Sequence, residues 1–348
     1  MRAYKEKSGC INCGSCVLAC PVLAKEGVSR FSGPRNLAVQ IPRFGQLEIE
    51  RDDLLMCTTC WKCEEVCPAD LPLPEAMLRV RRAVFSSERM LEGHRRLVEN
   101  IDLHHRSVAP TVQAPPPQRR EGAAIMYFPG CIAEQRITPI FSASVGALEK
   151  VGTVFDVPGG WVCCGAPLEK IGDWDRLDRL RSENLAVFEA HEDIVTSCPG
   201  CTTQLLLHYR LEPLHTIEFI YERVGVERLR LTSKGRRVRV ALHHPCHLSR
   251  TLGPHVIDYA YSILECVPAL ELVELDEPDV CCGGGGGVVA GYPDIALDLA
   301  ASKIADAKSV GADLLLAPCP FCVLNLRRVG GIEVEDFMTF INARLQPL

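Results

Sequence analysis

The sequence predicts an α+β multidomain protein. A mainly helical region covers residues 1–103, a proline-rich linker 104–122, and two related α/β halves 123–235 and 236–348. Three observations carry this reading. Two cysteine motifs in the first hundred residues are followed by a five-cysteine pattern that occurs twice. Beyond residue 122, short apolar strand patterns alternate with helical stretches, as in parallel α/β units. Between these regimes the apolar period is lost and Pro115-Pro116-Pro117 appears, the composition of a semi-rigid spacer.

At 348 residues the chain is long for one core. A chain of this size buries roughly 75% of its unfolded surface and does not need disulfides to fold. The net charge of −6 argues against nucleic acid as a main partner. No run of about 18 apolar residues suggests a membrane span. The charged stretch Met1 to Lys7 reaches Cys10 before any apolar segment, so no signal peptide is expected. In such a chain, 19 clustered cysteines read as metal ligands rather than a disulfide framework. Eighteen fall into groups. Cys266, in a helical run, reads as a buried structural thiol.

Residues 1–103 hold two copies of C-x2-C-x2-C-x3-C-P: Cys10, Cys13, Cys16, Cys20 with Pro21, and Cys57, Cys60, Cys63, Cys67 with Pro68. Two-residue spacings wrap three sulfurs around one cubane cluster, and in two-cluster proteins the fourth cysteine crosses to the other. This predicts one [4Fe-4S] site at Cys10, Cys13, Cys16 and Cys67, and a second at Cys57, Cys60, Cys63 and Cys20. The alternative is a pair of structural four-cysteine zinc sites. Residues 73–100 read as helical, with Arg79, Arg81 and Arg82 on an exposed face, and residues 34–41 as one short helix.

In the halves, strand patterns at 123–128, 153–157 and 193–196 match others at 238–242, 270–275 and 313–317. Helical stretches at 138–151 and 175–191 match 255–267 and 293–309. The cysteines follow the strands: Cys131, Cys163, Cys164, Cys198 and Cys201, then Cys246, Cys281, Cys282, Cys319 and Cys322. The gaps are 31 then 33 residues in the first set, and 34 then 36 in the second. Ligands of parallel sheets gather at the strands' carboxyl ends, where these cysteines fall. Five thiolates exceed the need of one cubane. The run Gly283 to Gly287 lacks the context of a nucleotide motif and reads as clearance for a bulky cluster or substrate. The first copy has Gly165-Ala166-Pro167 there, so the second half is expected to line more of an entrance. His243, His244 and His247 bracket Cys246. His244 and His247 are candidate proton donors, or loop-orienting groups. Arg228, Arg230, Lys234, Arg236 and Arg237 read as a solvated basic loop.

Several motifs carry a family resemblance. Tyr127-Phe128-Pro129-Gly130-Cys131, both Cys-Cys-Gly segments, Ser197-Cys198-Pro199-Gly200-Cys201, His244-Pro245-Cys246-His247 and Pro318-Cys319-Pro320-Phe321-Cys322 resemble the CCG domains of heterodisulfide reductase. The segment Leu54-Leu55-Met56-Cys57-Thr58-Thr59-Cys60-Trp61-Lys62-Cys63 is similar to that enzyme's small iron–sulfur subunit. Nearly the whole chain thus resembles the D-type form of the enzyme, in which the small subunit is fused to the CCG domains. The resemblance implies a helical ferredoxin domain with two cubane [4Fe-4S] clusters, followed by two non-cubane [4Fe-4S] clusters, one in each five-cysteine set. It implies an anaerobic enzyme of the methanogenesis type that reduces a CoM-S-S-CoB-type heterodisulfide to two thiols. The implied partners are a small-molecule disulfide and a membrane cytochrome b or flavoprotein donor. The implied place is cytoplasmic, peripheral on the membrane's inner face through that partner. Relatives of similar pattern imply two alternatives. One is a non-catalytic electron-transfer component of a flavoprotein 2-hydroxy-acid dehydrogenase or quinone-linked complex. The other is a sulfur-metabolism module.

Overall fold

Each C-terminal half is built on a four-stranded parallel sheet with the same strand permutation. The first comprises β1 (Ile125–Tyr127), β2 (Phe155–Asp156), β3 (Asp193–Thr196) and β4 (Leu214–His215), in the order β2-β1-β3-β4. The second comprises β5 (Val238–Leu242), β6 (Leu270–Val273), β7 (Leu314–Leu316) and β8 (Glu333–Glu335), in the order β6-β5-β7-β8. This computed structural model describes residues 9–36, 39, 51–113, 115–120, 122–233 and 238–348. Met1 to Lys7, part of the helix expected over 34–41, and Lys234, Arg236 and Arg237 lie outside the described residues.

In the central strands the sequence is apolar on both faces, as a parallel sheet covered on both sides demands. Leu314, Leu315 and Leu316 are all buried, and Ala241 pairs with both Val273 and Leu315. β4 and β8 escaped the sequence reading. Each is a short edge strand, and Glu333-Val334-Glu335 has the charged flanks that protect an edge and hide its signal.

The halves exchange helices. Thr138–Lys150 of the first packs on Phe337–Asn342 of the second, and Thr216–Glu218 packs on His255–Glu265. Phe141, Leu148 and Phe155 therefore share one core with Val240, Phe337 and Phe340. Tyr221 stacks on Tyr259 across the same seam, with ring centroids 3.8 Å apart. Truncating such a buried Phe to Ala costs about 3–5 kcal/mol, so the seam is a structural core rather than a sliding contact.

The N-terminal region packs against both halves. Its expected long helix is two helices, Leu73–Val84 and Glu92–His104, separated by a single turn at Ser87–Arg89. Leu73, Met77 and Val80 recur at helical spacing and are buried. Val22, Leu54 and Met77 join Val288, Ile295 and Leu299 of the second half in one apolar cluster. Arg81 corrects the sequence reading, because it is only 1% exposed. Its guanidinium donates to the carbonyls of Leu54 (3.0 and 2.7 Å), Cys57 (2.7 Å), Lys170 (2.7 Å) and Gly286 (3.2 Å), one set from each of the three parts. The segment after His104 is held on the first half. Cys163 N–H donates to the His105 carbonyl at 2.9 Å, Arg106 lies 3.4 Å from the Trp161 ring centroid, and Gln118 bridges to Val157.

Candidate iron–sulfur and substrate site

The strand order reverses between β1 and β3, and the crevice at that switch point is where parallel α/β sheets bind ligands. Cys131 follows β1 by four residues, and Cys198 follows β3 by two. The second half repeats this with Cys246 after β5 and Cys319 after β7. All ten cysteines are buried, and every cysteine of the chain is a free thiol. In the first set, neighbouring thiols interact in the order Cys131, Cys163, Cys164, Cys201, Cys198. In the second the order is Cys246, Cys281, Cys282, Cys322, Cys319, with the Cys282 and Cys322 Sγ atoms 3.2 Å apart. At Gly130 (φ 71°) a Cβ would stand 2.9 Å from Cys201 Sγ, so glycine is required where the first set closes.

Side chains with no sequence motif hold the double-cysteine turns. Asn184 Nδ2 donates to the carbonyls of Val162 (3.0 Å) and Cys163 (3.2 Å), and the Tyr209 hydroxyl donates to that of Cys164 (3.1 Å). Asn325 Nδ2 donates to the Cys282 carbonyl at 2.7 Å. Backbone N–H groups of Ser107, Gly283 and Gly284 point at Cys131, Cys281 and Cys282 sulfur at 3.4–3.5 Å. Such donors stabilise sulfur charge and tune the potential of a bound cluster.

In the N-terminal region, Cys10, Cys13, Cys16 and Cys67 line one small cavity. Cys20 sits with Cys57, Cys60 and Cys63 instead, the exchange expected of crossed fourth ligands. Burial, and then the neighbouring thiols, push Cys20 and Cys63 well above the usual thiol range. Buried thiols gathered without enough cationic charge fit a metal centre, because metal ions supply the missing charge and bind the thiolate.

The second motif is docked onto the second half. Cys60 shares a buried cluster with Cys246 and Cys281 and interacts with the Cys281 thiol, so a thiol of one expected site meets one of another. Ion pairs clamp the contact. Arg250 bonds Glu65 (2.8 Å), Asp279 and the Cys60 carbonyl (3.2 Å), while Lys62 bonds Asp279 at 2.7 Å. The glycine run also serves this junction. A Cβ on Gly286 (φ 68°) would meet the Cys57 carbonyl oxygen at 2.4 Å, and one on Gly285 would meet that of Thr58 at 3.0 Å. Clearance here is for the backbone of the second motif as much as for anything in the cavity.

Between the two five-cysteine sets lies a cavity of about 300 Å³. Nine of the ten cysteines line it, all but Cys198, together with Leu97, Val108, Ile132 and Phe321. More of its wall comes from the second half, including Gly284 to Gly287. His247 lines the cavity with Nδ1 3.5 Å from Cys246 Sγ, whereas His244 bonds the Tyr261 hydroxyl at 3.0 Å. Burial holds His244 at about 4; burial and the nearby Lys170 hold His247 at about 3. Neither ring carries a second proton near neutral pH. His243 places a ring nitrogen within 4.8 Å of Cys282 and Cys322 sulfur. Cys266 corrects the sequence reading: its helix forms as expected, but the thiol lies exposed at the helix end.

Fold and site define an iron–sulfur electron-transfer protein, in which a cysteine-motif region packs against a duplicated cysteine-rich unit. Residues 125–206 and 240–327 match the family described as a cysteine-rich domain, and residues 6–71 match the 4Fe-4S dicluster domain. The chain is 32% identical to one of the subunits of fumarate reductase (CoM/CoB) of Methanothermobacter marburgensis, over 97% of this chain and 72% of the relative. It is 29% identical to one of the subunits of dihydromethanophenazine:CoB–CoM heterodisulfide reductase of Methanosarcina acetivorans, over 97% of this chain and 93% of the relative. The chain belongs to the family of iron–sulfur proteins that contains these two relatives. A hypothetical protein from Helicobacter pylori shares the fold, with a TM-score of 0.58 at 12% identity, covering 90% of this chain and 68% of that one. Among the described residues no helix is long and apolar enough to cross a membrane.

Proposed function

We propose that the chain is the catalytic subunit of a heterodisulfide reductase-like complex, and that it reduces a small-molecule disulfide of the CoM-S-S-CoB type to two thiols. The observation that carries this is a pair of five-cysteine sets of which nine thiols line one cavity. Cleaving S–S takes two electrons and yields two sulfur products, so two metal centres on opposite walls suit it. Cys10, Cys13, Cys16 and Cys67 would hold one cubane cluster, and Cys57, Cys60, Cys63 and Cys20 the other. Cys131, Cys163, Cys164, Cys198 and Cys201 would hold one non-cubane cluster, and Cys246, Cys281, Cys282, Cys319 and Cys322 its counterpart. Bound clusters would supply the electrons and the sulfur-binding iron.

The protein's own residues do the rest. Cys60 against Cys246 and Cys281 keeps the transfer distance to the second set short. Leu97, Val108, Ile132 and Phe321 keep the cavity apolar, which strengthens electrostatic interactions inside it. Cys13, exposed at the outer site, marks where a redox partner would deliver electrons. A membrane cytochrome b or a flavoprotein suits that role, and the former would hold the chain on the inner face of the membrane. The test is anaerobic reduction of the coenzyme M–coenzyme B disulfide by viologen-reduced protein. Turnover lost on Cys-to-Ser change in either five-cysteine set is the expected result. Rapid electron uptake with no disulfide consumed would instead make the chain a non-catalytic carrier of electrons.

A further inference from the structure

We infer that Lys170 is the acid that protonates a thiolate released in the cavity, and that Glu169 and His208 reload it from solvent. The inference rests on the disulfide-reductase reading above and adds the group that delivers a proton.

Lys170 lines the cavity although it is only 7% exposed. Its Nζ lies 2.7 Å from Glu169 Oε2, and the other carboxylate oxygen lies 2.5 Å from His208 Nε2. The three groups form a continuous hydrogen-bonded chain. It runs from the cavity wall, through a carboxylate 4% exposed, to a ring whose side chain is 19% exposed. Trp174 meets the His208 ring edge-on at 5.3 Å and fixes it at the outer end. The inner end is pinned by Arg81, which bonds the Lys170 carbonyl at 2.7 Å. Thr203 and Gln204 line the same cavity. The second half has glycines after its double cysteine and no counterpart to this lysine, so the device serves one of the two sulfurs.

The balance is simple. R–S–S–R′ would take two electrons that bound iron–sulfur clusters supply from an external one-electron donor. The S–S bond breaks to two thiolates. One takes a proton from the Lys170 ammonium and leaves a neutral amine. A proton handed on by His208 Nε2 then reaches Glu169 at Oε1, the carboxyl group turns over, and that same proton passes to Nζ. The second thiolate leaves charged or is protonated by solvent.

Three measurements on the cluster-loaded protein test this: single-turnover disulfide reduction, iron content, and the pH dependence of diethyl pyrocarbonate modification of His208 read by peptide mass spectrometry. The charged or titratable groups facing the chain are Arg81 and His247 beside Lys170, with Arg82 across the Trp174 ring from His208. Lys170→Met should keep its iron and lose about 10²–10⁴-fold in single-turnover rate, the usual worth of a general acid. Lys170→Arg should stay slow, because a guanidinium keeps the charge but does not release its proton. In Lys170→Met the His208 modification midpoint should rise, because Glu169 is left with one cation to serve. A wild-type rate in Lys170→Met, full rescue by Arg, or an unmoved His208 midpoint would overturn the relay while disulfide reduction stood. If the wild type reduces no disulfide at all, the parent reading falls and the inference falls with it.

Discussion

Arg81→Met removes a side chain that ties all three parts of the molecule together. Its guanidinium makes five hydrogen bonds to four carbonyls, four of them at 2.7–3.0 Å and the fifth, to Gly286, at 3.2 Å. A hydrogen bond to a charged group contributes about 1.5–3 kcal/mol net. Five summed blindly would give roughly 8–15 kcal/mol, but burying the guanidinium costs several kcal/mol and bonds to one group are not additive. Methionine also refills part of the volume. A loss of about 3–5 kcal/mol remains, and its location matters more than its size. The carbonyls released belong to Leu54 and Cys57 on one side and to Lys170 and Gly286 on the other, so the N-terminal region should loosen from the halves before they melt. Urea unfolding followed at the iron–sulfur visible band and by far-ultraviolet circular dichroism separates these events, since a multidomain protein need not unfold in one step. With a slope of about 1–3 kcal/mol per molar, the visible transition should move down by roughly 1–5 M while the main circular dichroism transition moves less. Unshifted transitions would refute the reasoning. So would complete rescue by Arg81→Lys, whose point charge cannot reach four separate carbonyls.

Three further outcomes follow from the same geometry. Arg250→Met should weaken the clamp around Cys60 by about 2–3 kcal/mol, less than a fully buried pair is worth, because Asp279 and Glu65 are partly exposed and screened; urea titration of the visible band reads it. Cys60→Ser should slow electron arrival at the C-terminal sites in stopped-flow far more than Cys266→Ser, whose thiol is exposed and outside every group. Asp336 caps Phe337–Asn342 through Met338 and Thr339 N–H, yet burial raises its carboxyl to about 7. The folded state therefore holds a proton that the unfolded state releases near pH 4, and stability falls as pH rises from about 4 to about 7. Asp336→Asn keeps the capping acceptor and should flatten that dependence, gaining up to about 4 kcal/mol at pH 8 in denaturation curves taken across pH; an unchanged pH slope would remove Asp336 from the account.

How much could be read from the sequence depended on sequence distance. Cysteine spacings are local, and so were the four groups, the duplication and the parallel α/β halves. Gly130 and the glycines after Cys282 were visible, but their neighbours were not, and the backbone of Cys57 and Thr58 against Gly286 had no local sign. Arg81 shows the same limit. Its partners lie 24 to 205 residues away, and three arginines in four positions look like a solvated face. Asn184, Arg250 and Lys170 sit in ordinary helical or loop composition and acquire their roles only where separate segments meet. The edge strands β4 and β8 were missed because two or three residues carry no periodicity. The break between Leu73–Val84 and Glu92–His104 was missed because no glycine or proline marks it.

The central claim is that two five-cysteine sets hold two non-cubane clusters across one cavity, fed by two cubanes. Iron analysis with Mössbauer spectroscopy on anaerobically purified protein tests it most directly. The expected result is roughly 16 iron per chain, half in cubane and half in non-cubane signatures, at four iron per cluster. Cubane signatures alone, at any iron content, would contradict it.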